Sequence, residues 1–238
     1  MGIFLLLLCL VIFGPTLLFY RPPVPPVITV PNLPAFPVSD KEIVRGDTTK
    51  KQVIFTFDGG DGVQSADQIL DVLAKHHVKG TFFLTGKFIE ANPVLVRKMA
   101  SLGNEIFNHT YDHPHLPLLS DEQIMQELGQ NEAVLEETAS TSPHPYFRAP
   151  YGDRDQRVLN AAFRAGYESI YWTIDARDWE EPTGETPAQV HDNIMSNLAP
   201  GNIYLMHIGD TITGSILDGI FTEIEHHGYK IVSLTQGL

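Results

Sequence analysis

The chain has 238 residues, of which 43% are hydrophobic and 19% are charged, a composition typical of a folded protein with about one domain's worth of core. Its formal net charge of −13 argues against a nucleic-acid binder, because phosphate contacts need clustered lysine and arginine, and it favours a neutral or cationic substrate. The single cysteine, Cys9, lies in the N-terminal apolar run, so the rest of the chain has no disulfide and no thiol nucleophile.

Residues 3–20 form an almost unbroken apolar run, IFLLLLCLVIFGPTLLFY. Its length approaches that of a membrane-spanning helix, and no small-residue cleavage site follows it. We therefore predict a signal anchor over 1–20, with a cleaved signal peptide and secretion as the alternative. Residues 21–45 are rich in proline and predict an extended linker. A domain over 46–238 would then be held off a membrane surface, outside the cytoplasm.

From residue 51 onward, short apolar runs alternate with helical patterns. Helix starts are marked by Ser65, Ser120 and Thr186, each followed three residues later by glutamine, the arrangement of a capping box. Strands are predicted over 52–57, 81–84, 105–108, 146–148, 169–174, 202–206 and 230–234. About seven strands and six helices in alternation predict an α/β fold with a parallel sheet, either open or closed into a barrel.

Reactive side chains follow five of the predicted strands: Asp58, His109, Arg148, Asp175 and His207. In parallel α/β folds the carboxyl ends of the strands form the face that carries the active site. We therefore expect these five side chains to lie close together on one face of the sheet.

The types of these residues predict hydrolysis of an acyl bond. His109 and His113 are four residues apart and, with a carboxylate, suit Zn²⁺ or a related ion that carries a reactive water. Asp58 would be the general base for that water, His207 the general acid, and Arg148 a clamp for a carboxylate. The alternatives are that the two histidines lie on an exposed loop and that His207 is a core residue.

Five short motifs occur in order along the chain: TFDGG (56–60), HTYDH (109–113), RAPYG (148–152), DARDW (175–179) and LMH (205–207). On these motifs the domain resembles the polysaccharide deacetylases, the NodB-homology or carbohydrate esterase family 4 proteins, over about residues 50–236. The resemblance implies a distorted (β/α) barrel. It also implies removal of N- or O-acetyl groups from sugars with one divalent metal ion, zinc first, with cobalt, nickel or manganese as alternatives.

Roles for the reactive residues follow from the resemblance. Asp58 looks like the catalytic base and His207 like the catalytic acid. His109 and His113 look like metal ligands, and Arg148 would hold the base.

The resemblance also implies roles around the substrate. The backbone N–H of Tyr151 would donate to the oxyanion, and Trp179 and Leu205 would line the pocket for the acetyl methyl group, with simple core packing as the alternative for Trp179. Asp175 and Asp178 would orient partners such as the arginine and the acid, and the sequence leaves open which carboxylate does which.

The first motif departs from the family pattern at one position. The family usually has TFDD, with the second aspartate as the third metal ligand, whereas this chain has Gly59. We expect Asp61 to compensate in part. The alternatives are extra water ligands, with Asp61 an ordinary turn residue.

The favoured substrate is a cell-wall glycan such as peptidoglycan, an expectation that depends on the anchor and linker. Chitin oligomers, acetylated xylan or a non-sugar amide are alternatives with the same chemistry. A further alternative is a glycan-binding protein that has lost catalysis together with its third metal ligand.

Overall fold

The computed structural model describes residues 42–238. The predicted membrane anchor, and the predicted linker up to residue 41, lie outside the described residues. Within 42–238, none of the helices combines the length and the apolar character that crossing a bilayer requires.

Strands and helices alternate along residues 42–238 as the sequence predicts. The strands are β1 (Gln52–Gly59), β2 (Thr81–Leu84), β3 (Glu105–Asn108), β4 (Tyr146–Phe147), β5 (Glu168–Ser169), β6 (Ile174–Asp175), β7 (Ile203–His207) and β8 (Lys230–Val232). The helices are α1 (Ala66–Lys75), α2 (Gly86–Ala91), α3 (Pro93–Ser101), α4 (Asp121–Ala139), α5 (Gln156–Arg164), α6 (Pro187–Ser196), α7 (Thr211–His226) and α8 (Leu234–Gly237). Short 3₁₀ turns lie at Leu116–Leu118, Pro150–Gly152 and Asp178–Thr183.

Two of the three predicted capping boxes are present, at the starts of α4 and α6. The third prediction is wrong. The Ser65 side chain makes no cap for α1 and instead donates to the carbonyl of Asp210 and accepts the N–H of Gly214. This hydroxyl therefore joins the start of α1 to the start of α7.

All eight strands of residues 42–238 pair in parallel, in the order β5-β4-β3-β2-β1-β7-β6, with β8 also paired to β1. The predicted strand over 169–174 is split, because its start pairs with β4 and its end with β7. Since β5 and β6 are the two ends of the strand order and are close in sequence, the sheet curves back on itself. This split accounts for eight strands where about seven are predicted.

Residues in the last part of the predicted linker take part in this closure. The Ile43 N–H donates to the carbonyl of Ser169 at 2.9 Å, and the Ile43 carbonyl accepts the N–H of Tyr171 at 2.8 Å. Glu42 pairs with Arg154, whose Nη2 lies 2.6 Å from Oε2. The segment between β5 and β6 is therefore bonded to the chain that precedes β1.

The central strand β1 is buried along its whole length and separates two apolar layers. Phe55 and Phe57 belong to the large core between the sheet and the helices, where Phe55 stacks on Tyr204 with ring centroids 4.7 Å apart. Ile54 belongs to a second core inside the curve of the sheet. Because side chains alternate along a strand, Ile54 and Asp58 share the inner face, and Gly59 lies on the face toward the helices.

Helix α4 is tied to the sheet by a buried amide. Asn131 Nδ2 donates to the carbonyl of Leu84 at 2.7 Å, at the end of β2, and to that of Thr110 at 2.8 Å, in the loop after β3. Both carbonyls would lose a partner if the amide were removed. The loop that carries the HTYDH motif therefore depends on α4 for its position.

We predict that Asn131→Ala lowers the free energy of unfolding by about 1–3 kcal/mol, because two buried hydrogen bonds are lost while each carbonyl keeps one backbone N–H donor. Urea denaturation measures the change. Gln130→Ala, at an exposed position on the same helix, is the control and should change stability by less than about 0.5 kcal/mol. Equal effects of the two substitutions would contradict the structural role of Asn131.

Candidate active site

A cleft of about 630 Å³ opens at the carboxyl ends of the strands, and a buried ion pair lies at its base. Arg148 Nη1 donates to Asp58 Oδ1 at 2.6 Å and to Thr56 Oγ1 at 2.9 Å. The other guanidinium nitrogens donate to the carbonyls of Ile170 (3.3 Å) and Tyr171 (3.2 Å). The arginine, which is fully buried, is thus fixed by the segment that joins β5 to β6.

The charge of Asp58 is set by its neighbours. Burial alone would raise the pKa of this carboxyl, but the positive charge of Arg148, with contributions from His109 and His207, outweighs burial and leaves the pKa below its ordinary value. Asp58 is therefore a carboxylate at neutral pH.

His109 and His113 face each other beside Asp58. His109 Nδ1 lies 2.9 Å from the carbonyl of Arg148, which can only accept, so Nδ1 carries the proton and Nε2 is left with a lone pair. The Nε2 atoms of the two histidines are 3.2 Å apart, and Asp58 Oδ2 lies 3.5 Å from that of His109. Burial lowers the pKa of both rings, that of His113 to about 4. Both imidazoles are thus neutral, the state that binds metal ions.

The loop between the two histidines is shaped by polar side chains that the sequence analysis missed. Its backbone is left-handed at Thr110 (φ 65°) and His113 (φ 61°). Asn108 Oδ1 accepts the N–H of Thr110 at 2.8 Å, and Glu127 Oε2 accepts the amides of residues 111 and 112 at 2.9 and 2.8 Å. The available signal was the spacing of Glu127 and Asn131, four residues apart on one face of α4.

Asp178 and His207 form a second bonded pair across the cleft. Asp178 is fully buried, and its Oδ1 lies 2.9 Å from His207 Nδ1 while Oδ2 accepts the His207 N–H at 2.7 Å. The hydroxyl of Thr213 also donates to Oδ2. Burial alone would lower the pKa of His207, but Asp178 outweighs it and raises that pKa to about 9. The imidazole is therefore protonated at neutral pH. Its side chain is 28% exposed and lines the cleft, so it is not enclosed in the core as the alternative interpretation expected.

Asp175 contacts different groups. It accepts the N–H of Arg177 at 2.8 Å and the indole N–H of Trp179 at 3.2 Å, and burial raises its pKa. The hydrogen bonds of Arg148 described above go to Thr56, Asp58 and two carbonyls. Of the two carboxylates in the fourth motif, Asp178 thus contacts the histidine and Asp175 holds the indole.

The predicted substrate-contacting residues all line the cleft. Leu205 is buried, whereas Trp179 is 49% exposed, so core packing does not explain the tryptophan. Tyr151 has a left-handed backbone (φ 58°), and its N–H donates to no acceptor within residues 42–238. That donor is free to bind a group in the cleft.

The neighbourhood of the missing aspartate is apolar. A Cβ at Gly59 would lie 2.7 Å from Leu84 Cδ2 and 2.9 Å from Ile208 Cδ1, because this position faces the helices. A carboxylate on this backbone would enter apolar packing. Asp61 is exposed and lines the cleft, within reach of solvent.

Two sets of residues in the described chain could bind a cation. Asp178, His207 and Asp210 are the one group of three acidic or histidine residues in 42–238 whose ligand atoms all lie within 4.8 Å of one another. A metal ion there would compete with the proton of His207. His109 and His113 offer two neutral nitrogens that already converge, with a carboxylate nearby, and they fit a divalent ion better.

Comparisons with known proteins identify the family of the chain. The polysaccharide deacetylase family matches residues 45–170 of the chain. The peptidoglycan-N-acetylmuramic acid deacetylase PdaA of Bacillus subtilis is 34% identical over 190 residues, 79% of this chain and 72% of that protein. A chitooligosaccharide deacetylase of Sinorhizobium fredii is 31% identical, over 71% of this chain and 77% of its own.

One similar solved structure is that of a pseudoenzyme. A carbohydrate esterase family 4 pseudoenzyme from Bacillus anthracis superposes with a TM-score of 0.79 at 30% identity, over 84% of this chain and 69% of that one. Its fold is shared with the deacetylases, so the fold alone does not decide activity. From the matched family, the relatives and the site, the chain belongs to the polysaccharide deacetylase family, the NodB-homology proteins of carbohydrate esterase family 4.

Proposed function

We propose that the protein is a metal-dependent deacetylase that hydrolyses acetyl groups, N-linked or O-linked, on a polysaccharide. The observation that carries this proposal is the pair of opposite protonation states in one cleft. Asp58 is ionised and can accept a proton, while His207 is protonated and can donate one. Two titratable groups whose surroundings drive their pKa values apart are the usual arrangement of a general base and a general acid.

One divalent ion, zinc first, would be held by His109 and His113. When bound, the ion acts as a Lewis acid toward the acetyl carbonyl and the attacking water. The lowered pKa values of both rings keep their nitrogens available, and the hydrogen bond of His109 to the Arg148 carbonyl fixes its tautomer. Further ligand positions are left to water and substrate, with Asp61 as the candidate carboxylate.

The protein's own groups supply the proton transfers. Asp58 accepts a proton from water as the water oxygen bonds to the acetyl carbon. The free N–H of Tyr151 donates to the carbonyl oxygen as it gains negative charge. His207 gives its proton to the nitrogen as the carbon–nitrogen bond breaks, which yields acetate and a free amine. Arg148 keeps the base ionised throughout.

The cell-wall glycan peptidoglycan is the favoured substrate, supported by the likeness to PdaA and by the apolar run and linker in residues 1–45. We infer from the same segment that the domain is anchored to a membrane and faces outward, or is secreted after cleavage. Chitin oligomers are the second candidate, supported by the likeness to the Sinorhizobium enzyme. A purely glycan-binding role would leave the opposed charges of Asp58 and His207 without a purpose.

We expect the purified full chain, stripped with a chelator, to release acetate from peptidoglycan or N-acetylglucosamine oligomers only after Zn²⁺, Co²⁺, Ni²⁺ or Mn²⁺ is added back. Asp58→Asn should lower kcat by about 10²–10⁴-fold because the base is lost. Asp112→Asn, a cleft carboxylate paired with Lys87, is the matched control. A folded protein that releases no acetate from any glycan with any of these ions would refute the proposal.

The dependence of rate on pH should follow His207. Because its pKa is raised to about 9, kcat/KM should fall as the pH rises through about 9, where the acid loses its proton. Asp178→Asn removes the carboxylate that raises this pKa and leaves the burial that lowers it, so the alkaline limb should move to lower pH. Profiles of kcat/KM for the wild type, this variant and Asp112→Asn measure the shift. An alkaline limb that stays in place in Asp178→Asn would show that His207 is not the acid.

We predict that Asp61→Ala weakens Zn²⁺ binding by about tenfold, the scale seen when a group that supports a metal site is lost. Isothermal titration calorimetry on the full chain measures the affinity. Asp71→Ala, an exposed carboxylate on α1, controls for the loss of negative charge. An unchanged zinc affinity in Asp61→Ala would show that Asp61 does not compensate for the missing metal ligand.

A further inference from the structure

His115 stacks on the cleft residue Tyr151 and pairs with Asp153, and neither His115 nor Asp153 has a part in the chemistry above. We propose that they are a positioning pair that fixes Tyr151 and, through its ring, His113. This inference rests on the proposed function, since the groups they would hold are the oxyanion donor and a metal ligand.

The first link is polar. His115 Nδ1 lies 2.8 Å from Asp153 Oδ2, and the two side chains are 52% and 42% exposed. The segment that presents His115 is anchored next to it by Leu116, which is fully buried at the start of a 3₁₀ turn. An exposed pair of this kind adds at most about 1 kcal/mol to stability, so its value lies in where it holds the imidazole ring.

The second link is a ring stack. The imidazole of His115 lies parallel to the phenol ring of Tyr151, with centroids 4.2 Å apart and planes inclined by 16°. Tyr151 and Gly152 both have left-handed backbones, with φ of 58° and 64°. That conformation costs a non-glycine residue about 1–2 kcal/mol, so it persists only where contacts hold it. The stack supplies such a contact to Tyr151, whose N–H has no acceptor within residues 42–238.

The third link reaches the facing histidines. The ring of His113 meets that of Tyr151 with centroids 4.4 Å apart and planes inclined by 64°, and His113 in turn lies 4.8 Å from the ring of His109. The Tyr151 ring is therefore in contact with both His113 and His115. A series of four aromatic rings runs from buried His109 to the surface carboxylate of Asp153.

The pair of His115 and Asp153 therefore acts on two parts of the site at once. It fixes the backbone of Tyr151, on which the oxyanion contact depends, and the ring plane of His113, on which metal binding depends. Loss of the His115 ring should therefore slow the chemical step and weaken metal binding together, while substrate binding changes little. A displacement of about 1 Å in a catalytic group is enough to lower a rate up to 10²-fold.

The test compares His115→Ala with His115→Phe, which keeps a flat ring without the ion pair. We expect the alanine variant to lower kcat by about tenfold with KM within about twofold of wild type, and to weaken Zn²⁺ binding several-fold. The phenylalanine variant keeps the ring stack and loses the ion pair, so its losses should be smaller than those of the alanine variant, and Asp153→Asn, which also keeps the ring, should resemble it. His227→Ala, an exposed histidine at the end of α7, is the matched control.

Three outcomes would overturn the inference: an unchanged kcat and zinc affinity in His115→Ala, an equal loss in His115→Phe, or a rise in KM with kcat unchanged. If the wild type releases no acetate from any glycan, the proposed function fails. The zinc affinities of the same variants then decide on the positioning pair separately.

Discussion

The buried ion pair between Arg148 and Asp58 is the interaction on which the rest of the site depends. A lone buried carboxylate would take up a proton, because burial penalises its charge, and it would then be no base. The arginine keeps it ionised, and its own carbonyl oxygen fixes the tautomer of His109. One residue thus acts on both groups, on Asp58 through its side chain and on His109 through its backbone. Such a pair is weak evidence for stability, but it is strong evidence that a charged group is needed at this position.

Side chains alternate between the two faces of β1, and this alternation places Asp58 and Gly59 of the first motif on opposite faces of the sheet. Asp58 lies on the inner face with Thr56, where Arg148 reaches both of them. Gly59 is the next residue and lies on the outer face, against Leu84 and Ile208. The absence of a side chain there is therefore matched by close apolar packing. A side chain at this position would require the terminal methyl groups of Leu84 and Ile208 to shift.

Much of the fold could be predicted from the sequence because its signals are local. Apolar runs, capping boxes at Ser120 and Thr186, and polar residues at strand ends each depend on a few neighbours in the chain. The split of the strand over 169–174 could not be predicted, because both halves carry apolar residues and only long-range pairing separates them. The same applies to Ser65, whose hydroxyl bonds to the start of α7 instead of its own helix.

The candidate site likewise has some features that the sequence predicts and others that depend on long-range contacts. Motifs placed Asp58, His109, Arg148 and His207 on one face, as the structure shows, because parallel strands end together. The partners of Asp175 and Asp178 were left open, since packing decides which of two carboxylates in one motif reaches which donor. Glu127, Asn108 and Asn131 were missed because their polar side chains could equally be solvated, and the four-residue spacing of Glu127 and Asn131 on α4 does not by itself separate the two cases.

The segment between β5 and β6 links folding to chemistry. Its carbonyls at Ile170 and Tyr171 accept hydrogen bonds from Arg148, and its ends pair with the two edges of the sheet. Until those edges are joined, the guanidinium has neither its carbonyl partners nor its final place beside Asp58. The buried ion pair between Arg148 and Asp58 therefore depends on both edges of the sheet being in place.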